Sequence, residues 1–206
     1  MKFGVSSYSF SQTGLDTFQI IFKAKEMGFE AVEFAGFPNL PPGETALSFA
    51  PKVREFCQEQ GLSIVSYTVW ADFLRGSGGD LQAEIARVKG EVEVAQALGA
   101  PLIRHDATWG WPEDREGARS FQAALPLLIE GCRAVTEFAA ERGIKTMVEN
   151  HGFFCQDSER LEQLVCGVDH PNFGILLDVG NFLVVDEDPA QAVGRLLPYT
   201  FHVHVK

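Results

Sequence analysis

Three apolar runs in the chain end in side chains that can bind a metal ion or move a proton. The run Lys145 to Glu149 ends in a carboxylate followed by Asn and His, and the run Phe173 to Asp178 also ends in a carboxylate. The last run contains His202 and His204, which the alternation of a strand places on one face. A carboxylate at the end of a buried strand is costly unless a cation or another partner compensates its charge. These residues therefore indicate a site with both oxygen and nitrogen ligands.

Glu149, Asp178 and a histidine of the last run, His202 or His204, are the strongest candidates for that site, because the ends of successive parallel strands meet at one edge of a sheet. Carboxylates and an imidazole suit one divalent cation, Mn²⁺, Mg²⁺, Co²⁺ or Zn²⁺, with positions left for substrate oxygens. The alternative is that each residue is a polar strand end that pairs with neighbouring backbone or with an arginine.

The elements that must position these residues follow a repeated pattern of amphipathic helix, glycine and short β-branched run. Gly28, Gly61, Gly99 and Gly143 each precede such a run, at the point where the end of a helix requires a positive φ. These glycines therefore mark helix ends and do not form a phosphate-binding loop.

The pattern predicts seven strands separated by helices. Strands that alternate with helices of this length require parallel pairing, because each crossover returns the chain to the same end of the sheet. The fold class is therefore α/β. The predicted strands are Phe3 to Ser7, Ala31 to Phe34, Ser63 to Thr68, Leu102 to His105, Lys145 to Glu149, Phe173 to Asp178 and Thr200 to Val205, and the predicted helices include Leu15 to Met27, Leu81 to Leu98 and Ser120 to Arg142.

Two architectures compete for this pattern, an open doubly wound sheet and a closed (β/α)₈ TIM barrel. The first strand is not followed by a G-x-G-x-x-G sequence, and polar residues end many different strands, which favours the mouth of a barrel. We expect one barrel domain over residues 1–206. Eight βα units are expected of a barrel and seven strands are evident, so we expect the eighth unit to be missing from this sequence.

Composition narrows the classes of partner. The 206 residues carry a net charge of −11, and their 17 Lys and Arg residues are scattered, so we expect no nucleic-acid partner. We also expect no membrane partner, because uninterrupted apolar runs are short, and the first residues do not resemble a secretion signal. Four cysteines without a C-x-x-C pair suggest a reduced, cytoplasmic protein. The oligomeric state stays open, although an unclosed barrel would expose strand edges that favour self-association.

Three motifs resemble those of the xylose isomerase-like sugar isomerases and epimerases, a family that includes dehydratases. They are VENHG at 148–152, LLDVGN at 176–181 and HVHVK at 202–206. The resemblance implies a TIM barrel in which Glu149, Asp178 and His204 bind a metal ion. His204 is preferred to His202 because the family's ligand lies in an H-x-K pattern.

The same resemblance implies a fourth ligand, a Glu on the eighth strand, which also acts as a base in the epimerases. Without it, we expect the 206-residue chain to bind metal weakly and to be nearly inactive. We expect an extension of about 60 residues, one or two βα units, to restore both properties.

Further residues near the predicted strand ends are candidates for contacting the substrate or for supporting the metal ligands. We expect five of them to contact the substrate, although His105 could equally be a hydrogen-bonded structural residue and Trp109 could simply cover the barrel. Three others would support the ligands without contacting substrate. The substrate candidates are His105, Trp109, His151, Asn181 and Lys206, and the supporting candidates are Glu33, Asn150 and His202.

Three functions agree with these features. The first is metal-dependent isomerisation, epimerisation or dehydration of a sugar or polyol, in which Glu149 moves a proton next to a carbonyl. The second is a phosphodiesterase of the endonuclease IV type, but Asn181 stands where that type has His in D-x-x-H, and five His cannot fill its metal cluster. The third is an inactive barrel that serves as a binding module.

Overall fold

The computed structural model describes residues 2–206, which divide into two compact units. The first unit contains the residues up to Val69 together with Gly90–Ile103. The second unit contains Trp70–Lys89 and Arg104–Lys206. Helix α3, Leu81–Leu98, and strand β4, Leu102–His105, contribute residues to both units.

The first unit has a parallel sheet in which strand order follows chain order. Strand β1, Gly4–Ser6, pairs with β2, Ala31–Ala35, which pairs with β3, Ser63–Val69. Helices α1, Thr17–Glu26, and α2, Ala46–Glu59, connect these strands. Each helix buries one apolar face, which contains Ile20, Ile21 and Ala24 in α1 and Phe49, Ala50, Val53 and Cys57 in α2, because these side chains recur at helical spacing.

The second unit repeats the arrangement and contains the three strand ends of interest. Strand β5, Lys145–Glu149, pairs in parallel with β6, Phe173–Asp178, which pairs with β7, Thr200–His204. All six residues of β6 are buried, as expected of an inner parallel strand. The connecting helices are α4, Phe121–Ala140, α5, Ser158–Val168, and α6, Pro189–Leu196.

The observed boundaries confirm the predicted α/β alternation, and the bounds of β4, β5, β6 and α3 coincide with the predicted ones. Helix α1 begins later than predicted. Asp16 is its N-cap and accepts a hydrogen bond from the Gln19 amide at 2.9 Å, which stops the helical backbone from extending back to Leu15. Strand β7 ends at His204, one residue before the predicted Val205.

The four glycines that mark helix ends have the predicted positive φ, between 67° and 85°. Gly143 has φ 70°, and a Cβ there would meet nothing within 4 Å, so Gly143→Ala isolates the backbone cost. We expect a loss of about 1 kcal/mol in the free energy of unfolding. Gly90→Ala is the matched control, because Gly90 lies inside α3 with equally open space. That change should stabilise the protein by roughly 0.5–1 kcal/mol.

Urea unfolding of both variants measures these differences through their midpoints. We expect the free energy of unfolding to fall in Gly143→Ala and to rise in Gly90→Ala, although both replace glycine by alanine. A neutral or stabilising Gly143→Ala would contradict the assignment of Gly143 to a helix end.

Two properties of the described chain bear on its surroundings. Within residues 2–206, the helices are all too short or too polar to cross a bilayer. Cys57, Cys132 and Cys155 are buried as free thiols, and Cys166 is an exposed one. Burial raises the pKa of the Cys57 and Cys155 thiols to about 12, which keeps them protonated and unreactive at neutral pH.

Candidate metal centre

Glu149, Asp178 and His204 come together at the ends of β5, β6 and β7, inside the second unit. One ligand atom from each lies within 4.8 Å of the others. The pairing of Asp178 with His204 across β6 and β7 brings two of them side by side. An irregularity between Ile175 and Leu176 shifts the register of these strands before that point. The predicted convergence of the three side chains is therefore present.

Asp178 is almost fully buried, and both its carboxylate oxygens have donors. Its Oδ1 accepts hydrogen bonds from the Gly180 and Asn181 amides at 2.9 and 3.2 Å. Its Oδ2 lies 2.7 Å from the Lys206 Nζ. The Asn150 side chain holds the backbone of Asp178 from both sides, since its Nδ2 donates to the carbonyl at 2.8 Å and its Oδ1 accepts from the amide at 2.7 Å. This double hydrogen bond fixes where the strand end presents its carboxylate.

Glu149 is held between cationic and polar groups. Its Oε2 lies 2.6 Å from an Arg104 guanidinium nitrogen, and its Oε1 lies 3.3 Å from the Asn181 Nδ2 and 3.8 Å from the His204 Nδ1. Burial raises the pKa of Glu149, but the His204 imidazole and the charges of Arg104 and His151 outweigh it and lower the pKa to about 2. Glu149 is therefore ionised at neutral pH.

A buried arginine organises the residues beside Glu149. Arg104 pairs with Asp106 at 2.9 Å as well as with Glu149, and the His151 Nδ1 lies 3.2 Å from the Asp106 Oδ1. Neither Arg104 nor Asp106 was predicted from the sequence to lie in the site. The signal that identifies them is the charge pair in the apolar run LIRHD, because a buried guanidinium requires carboxylate partners.

Four other predicted site residues contact the proposed ligands or their neighbours. Asn181 and Lys206 contact the carboxylates directly, and the Lys206 Nζ donates to the Asn181 Oδ1 at 2.8 Å. Trp109 packs edge-on against His151, with ring centroids 5.0 Å apart. His202 lies beside His204, with ring centroids 5.5 Å apart, which agrees with the predicted shared face.

Two further predicted residues, His105 and Glu33, are almost completely buried. His105 is completely buried, with its Nδ1 2.9 Å from the Asp106 carbonyl oxygen, and burial lowers its pKa to about 4. This placement favours the structural alternative for His105 over substrate contact. Glu33 lies in the middle of β2 in the first unit, where it is also buried.

The donor set fits a divalent cation. Two carboxylates and an imidazole are the ligands that Mn²⁺, Co²⁺, Zn²⁺ and related ions accept in proteins. The three ligand atoms are close enough to share one ion. Hydrogen bonds to both Asp178 and Glu149 supply the orientation that such ligands need from their neighbours.

Comparison with known sequences connects the chain with one family and one curated relative. The sequence model of the family described as xylose isomerase-like TIM barrel matches residues 21–206. A 3-dehydroshikimate dehydratase of Pseudomonas putida is 26% identical over 167 residues, which cover 78% of this chain. The chain spans about a quarter of the length of that curated relative, since the match covers 25% of it.

Solved structures resemble the fold of the whole chain. The probable 3-DHS dehydratase involved in petrobactin synthesis from Bacillus anthracis has a TM-score of 0.79 at 21% identity, covering 99% of this chain and 72% of that one. The D-psicose 3-epimerase of Clostridium cellulolyticum has a TM-score of 0.80 at 18% identity, covering 100% and 73%. At these identities the likeness shows the fold alone, and together with the family match it confirms the barrel class over the doubly wound sheet.

Proposed function

Because the chain belongs to the xylose isomerase-like TIM barrel family, we propose that it forms the metal site of an enzyme acting on a sugar or sugar-like polyol. The reaction is isomerisation, epimerisation or dehydration through proton transfer next to a carbonyl, and the proposed cofactor is one divalent ion, Mn²⁺, Mg²⁺, Co²⁺ or Zn²⁺. The observation that carries this proposal is the approach of the Glu149, Asp178 and His204 ligand atoms within 4.8 Å.

The named relatives support the chemical class. The curated relative is a 3-dehydroshikimate dehydratase, and one structural relative is a D-psicose 3-epimerase. Both epimerisation next to a carbonyl and elimination of a β-hydroxyl can begin with removal of a proton from the carbon beside that carbonyl. One site that stabilises the resulting negative charge therefore serves either reaction.

The residues of the proposed site divide into metal ligands and substrate contacts. Glu149, Asp178 and His204 would hold the divalent ion, which would supply a Lewis acid for the carbonyl and neighbouring hydroxyl oxygens of the substrate. Glu149, with its pKa lowered to about 2, is a strong ligand and a weak proton acceptor, so ligation is the role that its surroundings favour most. Asn181 and Lys206 are the proposed contacts for substrate oxygens, because both present polar groups beside the carboxylates.

Elemental analysis after equilibrium dialysis against Mn²⁺ or Zn²⁺ at millimolar concentration, which also detects weak binding, tests the proposed site. We expect about one ion per chain. Asp178→Asn should weaken binding by at least about 10-fold, because the amide lacks the charge that attracts the cation. Asp188→Asn is the matched control, since Asp188 is the exposed N-cap of α6 and Asn also caps helices well.

The outcomes separate the competing functions. Retained binding in Asp178→Asn would remove Asp178 from the site. Several ions per chain would support a phosphodiesterase cluster, and the absence of bound metal at millimolar concentration would support the inactive binding module.

A further inference from the structure

A buried aspartate outside the proposed metal centre fastens two loops to each other. Asp72 follows β3 and is 1% exposed. Its Oδ1 accepts hydrogen bonds from the Leu74 and Arg75 amides, both at 3.0 Å. The same oxygen accepts from the Thr108 hydroxyl at 2.7 Å, and the Oδ2 accepts from the Trp109 amide at 3.2 Å. One carboxylate thus holds its own turn and the loop that follows β4.

The loop that follows β4 carries the Trp109 ring next to the proposed centre. Trp109 is 45% exposed, and its ring meets the His151 ring at an interplanar angle of 83°. A Cβ at Gly152 would lie in ordinary van der Waals contact with the Trp109 ring, at 3.5 Å, so the indole packs close to the backbone that follows His151. The His151 Nδ1 lies 3.4 Å from an Arg104 nitrogen, and Arg104 contacts Glu149. Trp109 is therefore connected to a proposed ligand through two side chains.

We infer that Asp72 is a positioning residue that fixes the Trp109 indole against His151, where the indole forms one wall of the substrate site. The part of this inference that concerns substrate rests on the proposed function. The part that concerns position rests on the hydrogen bonds of Asp72 alone. An indole face packs well on the apolar face of a sugar ring, and such packing requires a ring that is already held in place.

The chemistry of the carboxylate explains why aspartate is needed at this position. Its two oxygens accept four hydrogen bonds, and an asparagine side chain has only one oxygen. In Asp72→Asn, the amide oxygen can keep the three donors of Oδ1, and its NH₂ group then faces the Trp109 N–H. Two donors in contact cannot form a hydrogen bond. The substitution therefore releases Trp109 selectively and retains the turn at Leu74 and Arg75.

Fluorescence of Trp109 tests the inference in the full chain. Trp70→Phe and Trp111→Phe leave Trp109 as the single tryptophan of the three present. In this background, Asp72→Asn should shift the emission maximum to longer wavelength. The acrylamide quenching constant should rise roughly twofold, because Trp109 is now 45% exposed and loss of its hydrogen bond to Asp72 should make it more exposed. An unchanged spectrum and quenching constant in a folded Asp72→Asn protein would overturn the inference.

Two further variants keep the test decisive. Thr108→Val retains Asp72 and removes the hydroxyl that bonds both to Asp72 and to the Gly110 amide, so it should also increase quenching. It carries the test if Asp72→Asn fails to fold. Asp80→Asn makes the same chemical change at the exposed residue that precedes α3, and it should leave the spectrum of Trp109 unchanged.

Metal and sugar measurements separate this inference from the proposed function. The bound-metal content of Asp72→Asn should equal that of the parent, because Asp72 contacts none of the three proposed ligands in the interactions described above. Loss of metal binding in the parent protein would refute the proposed function and leave the fluorescence result standing. D-fructose and D-tagatose should perturb the emission of Trp109 in the parent more than in Asp72→Asn. An equal response would overturn the role of Trp109 as a substrate wall.

Discussion

Glu149→Gln is expected to lower kcat/KM of the natural protein by about 10²–10⁴-fold, because a weakened metal site stabilises the negative charge of the transition state less. The amide keeps the size of the side chain and loses its charge. It therefore weakens the proposed metal site and removes the only carboxylate that lies against both Arg104 and His204 in the contacts described above. The measurement is exchange of solvent deuterium into ketohexoses and 3-dehydroshikimate, followed by NMR, together with the metal content of each protein.

The matched control for this substitution is Glu141→Gln. Glu141 follows α4, and its side chain is 77% exposed, so the same change there should leave both turnover and metal content unaltered. Circular dichroism should show that both variants keep their helices. Unchanged rates in Glu149→Gln would remove Glu149 from the mechanism.

Arg104→Met is expected to lower the free energy of unfolding of the metal-free protein by about 3–5 kcal/mol. The side chains of Arg104, Asp106 and Glu149 are no more than 10% exposed, and one guanidinium compensates both carboxylates. Methionine fills much of the same space without charge, so two buried carboxylates lose their main cation. Urea unfolding in EDTA at neutral pH measures the loss.

The loss of stability in Arg104→Met depends on the burial of the charged side chains, and an exposed ion pair provides the comparison. Arg195 lies 3.6 Å from Glu162, with side chains 43% and 36% exposed, so Arg195→Met should cost less than about 1 kcal/mol. Combining Arg104→Met with Asp106→Asn should recover part of the stability, since one uncompensated charge disappears. Equal costs at Arg104 and Arg195 would contradict the structural account of the buried cluster.

Acid should act on the same cluster in a defined pH range. The folded-state pKa of Glu149 is about 2, below its ordinary value of 4.5. The stability that arises from this difference is fully present above pH 4.5 and is lost as the pH falls towards 2. In Arg104→Met the folded-state pKa should rise, so this contribution should shrink and less stability should be lost over that interval.

The pattern of the sequence was sufficient to predict the elements and the three proposed ligands. Apolar periodicity and glycine at helix ends are local properties, and they located β4, β5, β6 and α3 with their observed bounds. Parallel strands bring their carboxyl ends to one edge regardless of the details of packing. For that reason Glu149, Asp178 and the two histidines of the last strand could be grouped before any distance was known, and the family resemblance selected His204.

The partners of those ligands depended on contacts between residues far apart in the chain. Arg104 precedes Glu149 by 45 positions, and the neighbouring Arg104 and Asp106 in the sequence do not show that a second, distant carboxylate also pairs with the arginine. His105 illustrates the same limit, because its neighbour Arg104 joins the cluster while His105 itself is completely buried. Strand alternation sends adjacent side chains to opposite faces, but only packing determines which face is the buried core and which faces the proposed metal centre.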